Sequence, residues 1–122
     1  MILGGQGKTD SVLFFAPMAI EAYRMLAPLN ADQRYDLGRI AEVAGALPLA
    51  KAQADTILLQ NPTHLLGLIL GARIASLEKR PADSKVLEAR LLEAYPSETA
   101  KKLPEYDRHQ ADITAALSAV RQ

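Results

Sequence analysis

The sequence predicts an all-α chain of antiparallel helical hairpins stacked side by side, and three observations carry that prediction. Pro28, Pro62 and Pro96 stand 62 − 28 = 34 and 96 − 62 = 34 residues apart, each after a stretch rich in alanine and leucine. The 21 Ala and 19 Leu against six aromatic residues favour close-packed helices over sheet. Between the first two prolines, Ala31–Pro62 reads as two amphipathic helices folded back on each other across a short glycine turn.

The elements follow from punctuation and apolar spacing. Residues Met1–Thr9 hold three glycines and no apolar period, so 1–9 is expected to be a flexible leader, with Asp10 or Ser11 as a first cap. Leu13, Ala16, Ile20, Tyr23 and Ala27 recur in steps of three and four and place a helix from about Phe15 to Leu26, ended by Pro28. Asn30 is a good N-cap for a second helix through Tyr35, Leu37, Gly38 and Ala41, which Gly45 stops. Pro48 suits the first turn of a third helix, buried along Ala50, Ala54, Ile57 and Leu58 and closed at Asn61–Pro62. Thr63 is expected to cap a fourth helix, His64–Lys79, apolar nearly all round and therefore buried on both sides. Pro81 opens a fifth, with Val86, Leu87, Leu91 and Ala94 inward, closing at Tyr95–Pro96. Pro104 begins a last helix with Tyr106, Ile113, Ala116, Leu117 and Val120 on one face.

Composition excludes several kinds of function. The 122 residues suffice for one domain with a modest core. Lys plus Arg equals Asp plus Glu at 14 each, and the charges are dispersed, so no field draws in nucleic acid or an anionic membrane. The absence of cysteine removes disulfides, thiolate catalysis and thiolate metal sites. The start, MILGGQGKTD, has no secretory pattern, and the apolar runs Val12–Ile20 and Leu65–Leu70 fall short of the roughly 20 residues that span a bilayer. A soluble chain without direct membrane insertion is expected. No compartment is read from the sequence; the cytoplasm is the default, with a periplasmic home or a tether in further parent sequence left open.

The same residues resemble the tetratricopeptide repeat family, whose 34-residue units are helix–turn–helix pairs. Ala50, Ala54 and Ile57 stand twelve, eight and five positions before Pro62, and Leu37–Gly38 and Gly45 take the family's Leu-Gly and turn-glycine places. Ala16, Ile20 and Tyr23 match before Pro28 as a second helix without its partner. Gly71–Ala72, Ala75, Ser84, Leu91 and Pro96 match in the third unit, where Lys79 replaces the turn glycine and Glu88 falls at an apolar place. The resemblance implies a short right-handed α-solenoid: a leader at 1–9, then a single domain at 10–122. Within it lie a half repeat at 11–28, repeats at 31–62 and 63–96, and a capping helix at 104–121. Another helical-hairpin repeat of similar length is the nearest rival.

Motifs that suggest chemistry have plainer readings. Gly4-Gly5-Gln6-Gly7-Lys8-Thr9 has the Gly-Lys-Thr core of a phosphate loop, but Ile2 stands where the pattern needs its first glycine, and only three residues precede it. The leader reading is preferred. Of the two histidines, His109 with Glu105 and Asp112 comes closest to a metal set, and a solvated face explains it. No acid–base pair or activated nucleophile stands out, so no enzyme, no catalytic residue, no metal and no cofactor is expected.

If the stack follows the family, the first helix of each pair lines a concave face. That places Asp32, Tyr35, Arg39 and Glu42 on one stripe, continued by Arg73 and Ser76, with Leu66 and Ile69 making the groove apolar. The plainer reading of the stripe is an amphipathic surface with an Arg39–Glu42 salt bridge. The expected function is a protein–protein interaction scaffold that binds a partner segment or neighbouring domain there. The alternative is a self-assembly module, in which the apolar helix Leu65–Leu77 and the open first unit pair with a second copy as a homodimer or helix swap.

Overall fold

The computed structural model describes residues 17–23, 25 and 28–121, and every regular element among them is a helix. The expectations for the leader, the first cap and the phosphate-loop-like motif lie outside the described residues. Helix α1 is described over 17–23, inside the expected span. Helix α2 (Ala31–Val43) starts on a reciprocal cap: Asn30 Oδ1 accepts from the Gln33 N–H at 2.8 Å, and Gln33 Oε1 accepts from the Asn30 N–H at 3.0 Å. Helix α3 (Leu47–Gln60) has its proline in the first turn and ends against Asn61.

Helix α4 (Leu65–Leu77) is the centre of the core. Leu65, Leu66, Leu68, Ile69, Leu70, Ile74 and Ala75 are all buried, as an apolar perimeter requires. Helices α2 and α3 pack on each other and on α4, and helix α5 (Pro81–Thr99) packs along α4 as well. Close approach at these contacts uses glycine. A β-carbon at Gly38 would stand 2.3 Å from Leu70 Cδ2, and one at Gly67 would stand 2.8 Å from Ile57 Cγ2 and from Leu58 Cδ2. No helix among the described residues is long and apolar enough to cross a membrane.

The two turns that fold α2 onto α3 and α4 onto α5 are the same turn, 79 − 45 = 34 residues apart. After α2, the Ala46 N–H donates to Ala41 O at 2.8 Å and the Gly45 N–H to Glu42 O at 3.1 Å, with Gly45 at φ +80°. After α4, the Arg80 N–H donates to Ala75 O at 2.8 Å and the Lys79 N–H to Ser76 O at 3.0 Å, with Lys79 at φ +59°. Both satisfy carbonyls at the helix end through a left-handed residue. Lys79 holds glycine's conformation with a side chain that disfavours it. Lys79→Gly is therefore expected to raise unfolding free energy by about 1 kcal/mol, seen as a higher urea midpoint at unchanged slope; a lower midpoint contradicts this account.

Three boundaries and one inward stripe differ from expectation. His64, not Thr63, caps α4: its Nδ1 accepts from the Leu66 N–H at 3.2 Å. Thr63 instead sends its hydroxyl to Glu98 Oε2 at 2.7 Å. Helix α5 does not stop at Pro96 but runs through it to Thr99. Proline removes one helical N–H and crowds the preceding turn, yet Glu98, buried and bonded to Thr63 and Tyr106, holds the last turn in place. Val86 is 59% exposed because the inward stripe of α5 runs through Ser84, Leu87, Leu91, Ala94 and Glu98. The segment expected as one capping helix is two, α6 (Pro104–Arg108) and α7 (Gln110–Val120), broken at His109 with φ −111° and ψ 27°. Tyr106, Ile113 and Leu117 pin these two onto the core.

Candidate functional site

Tyr35, Arg39 and Glu42 follow Asp32 along α2 in steps of three and four, so they share one face, as the sequence predicts. Arg73 of α4 stands beside that face. Its Nε and a terminal nitrogen bind both oxygens of Glu42, at 2.8 and 2.6 Å, a bidentate pair that ties α4 to α2. The Arg39 Nε lies 3.5 Å from Glu42 Oε1, the salt bridge of the plainer reading.

The rest of the face is turned toward α6 and α7. Tyr35 is fully buried; its hydroxyl donates to Asp112 Oδ2 at 2.7 Å and accepts from Arg39 Nη1 at 3.1 Å. Arg39 Nη1 also reaches Asp112 at 2.7 Å. Burial, reinforced by the bond to Asp112, pushes the Tyr35 phenol well above its ordinary value. It stays a neutral donor across the working pH range. At the start of α2, Asp32 accepts from Arg108 at 2.6 Å and lies 2.7 Å from His109 Nε2, while Asp36 accepts from the same Arg108 nitrogen at 2.7 Å. The five residues Asp32, Tyr35, Arg39, Glu42 and Arg73 are thus one continuous polar seam. The partners of Asp32, Tyr35 and Arg39 across it belong to this chain's own C-terminal helices.

His109 does not gather Glu105 and Asp112, its neighbours in sequence. Glu105 points to His64, at 3.0 Å from Nε2, and Asp112 belongs to Tyr35 and Arg39. What His109 meets is Asp32 and Asp36; one donor atom from each of the three lies within 4.8 Å of the other two. Its ring is held edge-on against Tyr35, centroids 4.7 Å apart.

A second polar knot joins α4, α5 and α6. The Tyr106 hydroxyl accepts from the Leu65 N–H at 3.1 Å and donates to Glu98 Oε1 at 2.7 Å. Because His64 Nδ1 accepts from the backbone, its proton sits on Nε2 and faces Glu105. The first two amides of α4, which no helical carbonyl can reach, are satisfied by these two side chains.

Where α7 leaves the seam, it opens a cleft of about 580 Å3 against α4 and α5. Ile69, Leu77, Ala116 and Val120 give it apolar walls, and Arg39 and Arg73 stand at its α2 side. Ile69, itself buried, lines it at one edge, and Leu66 lies wholly in the core away from it. Glu88, half-buried, also lines it, so its carboxylate borders the cleft rather than the closed core. Sequence reasoning did not identify Asp36, Arg108 or Asp112 as members of the seam. Their partners lie 72 to 77 residues away, beyond any local spacing.

No family model matches the chain, and neither the curated proteins nor the solved structures contain a significant match to it.

Proposed function

We propose that the chain is a non-enzymatic protein–protein interaction scaffold, a short right-handed tetratricopeptide-like array of two hairpins under a C-terminal cap. The matching turns at Gly45 and Lys79, 34 residues apart, and the glycine contacts of α4 support the repeat reading. The observation that carries the binding reading is the cleft between α4, α5 and α7. It offers about 580 Å3, apolar walls, and arginines at one side, with Leu77 52% exposed. Such a groove suits an apolar segment of another protein or a neighbouring domain, oriented by polar contacts at Arg73. Within the seam, Asp32 and buried Tyr35 act by holding the cap and so shaping the cleft, while Arg73 is the member open to a partner.

A photo-crosslinking residue placed at Leu77 in the native cell tests this, with Leu59, 84% exposed and outside the cleft, as control. A discrete adduct at 77, absent at 59 and weakened by Arg73→Glu, is expected. Equal labelling at both positions, or none at 77, removes the cleft as the binding surface. Self-assembly is the alternative. Helix α4 is occupied by its own chain, so a dimer would use another surface, and a clean monomer in light scattering at micromolar concentration dismisses it.

A further inference from the structure

The cluster where α2 meets the α6–α7 bend has the donors of a transition-metal site, and we propose that Asp32, Asp36 and His109 bind a divalent ion such as Zn2+, in exchange with Arg108. Two observations point there independently. The first is the donor set. Asp32 and Asp36 are one helical turn apart on α2 and project from the same face, while His109 sits at a non-helical break that sends its ring toward them. Two carboxylates and an imidazole supply the oxygen and nitrogen ligands that zinc and its neighbours accept.

The second is what already stands among them. A single nitrogen of Arg108, Nη1, lies 2.6 Å from Asp32 Oδ1, 2.7 Å from Asp36 Oδ2 and 3.3 Å from His109 Nε2. All three side chains converge on one positively charged point, so the site is shaped around a cation. Arg108 is a replaceable one: its side chain is 54% exposed, against 29%, 20% and 12% for Asp32, Asp36 and His109. The pairings among these groups also conflict. His109 Nε2 lies 2.7 Å from an Asp32 oxygen, so in this arrangement it carries a proton donated to that oxygen, and it then faces Arg108 Nη1 donor to donor at 3.3 Å. A metal ion resolves the conflict. It takes the Nε2 lone pair with the proton on Nδ1, and two charges on the ion meet two carboxylates.

The geometry requires little movement. Ligand atoms about 2.1 Å from a tetrahedral zinc lie about 3.4 Å from one another, and His109 Nε2 to Asp36 Oδ1 is already 3.5 Å. The 2.7 Å gap to Asp32 widens by a small side-chain rotation. Open coordination positions remain for water. Such an ion would clamp the start of α2 to the α6–α7 bend, and its binding free energy would add to the stability of the cap.

The test is titration of the chelator-treated full chain with Zn2+ alone, against a competing colorimetric chelator. One saturable equivalent is expected. His109→Ala and, separately, Asp36→Asn should each weaken binding by about tenfold or more, and Arg108→Gln should tighten it by about tenfold by removing the competing cation. Circular dichroism checks that each variant folds, and Asp36→Asn keeps the question decided if His109→Ala does not. No saturable binding in either the parent chain or Arg108→Gln overturns the proposal. So does binding that His109→Ala and Asp36→Asn leave unchanged.

Discussion

Replacing Glu98 by glutamine is expected to destabilise the fold by about 2–3 kcal/mol at pH 7 and to flatten its response to acid. Glu98 is 2% exposed. Burial alone raises a carboxyl group's pKa, but three donors outweigh it: Lys101 Nζ, Tyr106 Oη and Thr63 Oγ1, each 2.7 Å away. They hold the group at about 2, from an ordinary 4.5. Because the folded value lies below the unfolded one, the folded chain gains stability from the charged carboxylate at any pH above about 4.5. That gain is lost as the pH falls from there toward 2. The shift corresponds to roughly 3 kcal/mol. Glutamine keeps one acceptor, presents an amide N–H to the other donors, and does not titrate.

Urea midpoints at pH 7, 5 and 3 measure both effects. The parent chain should lose stability between pH 5 and 3 by clearly more than Glu98→Gln does, and an equal loss in both would show that Glu98 is not the titrating group. The consequence reaches beyond one residue. Tyr106 receives the first amide of α4 and gives its own proton to Glu98, so the carboxylate steadies the start of the most buried helix and the end of α5 together.

That dependence explains which parts of the fold could be read from the sequence. Asn30, Gly45 and Pro48 act within a few residues of themselves, through caps and turn conformation, and they mark the ends of α2 and the start of α3 as expected. Pro96 carries an equally strong local signal, yet α5 passes through it because Thr63, 35 residues before Glu98, and Tyr106, on the next helix, hold Glu98 in the turn beyond. His109 breaks the last helix where its ring meets Asp32 on α2, a contact spanning 77 residues. The candidate face divides in the same way. The stripe Asp32–Tyr35–Arg39–Glu42 is periodic and therefore legible. That its partners are Arg108, His109 and Asp112 depends on where α7 docks, which spacing along one helix does not encode.

Gly67→Ala is the sharpest probe of the packing that carries this arrangement, because local and tertiary effects have opposite signs there. In an isolated helix, alanine is better than glycine by about 1 kcal/mol, so propensity alone predicts stabilisation. In this chain the new methyl would stand 2.8 Å from Ile57 Cγ2 and Leu58 Cδ2 and 3.0 Å from Leu58 Cγ. Ile57 is buried and stiff at its branched carbon, so α3 and α4 must move apart rather than one side chain swing aside. Overpacking of this kind outweighs the helical gain, and a net loss of about 1–3 kcal/mol is expected. At Gly71 the methyl crowds the end of Leu87, at 3.1 Å, and meets Ala54 and Leu58 at an ordinary 3.9 Å, so the same substitution should stay within about 1 kcal/mol of the parent. Leu58→Ala combined with Gly67→Ala should cost less than the sum of the two single losses, since one clash partner is removed and the two residues touch. Stabilisation by Gly67→Ala alone would mean that α3 and α4 do not approach as closely as the glycine allows, and the shared core of the two hairpins would have to be placed elsewhere.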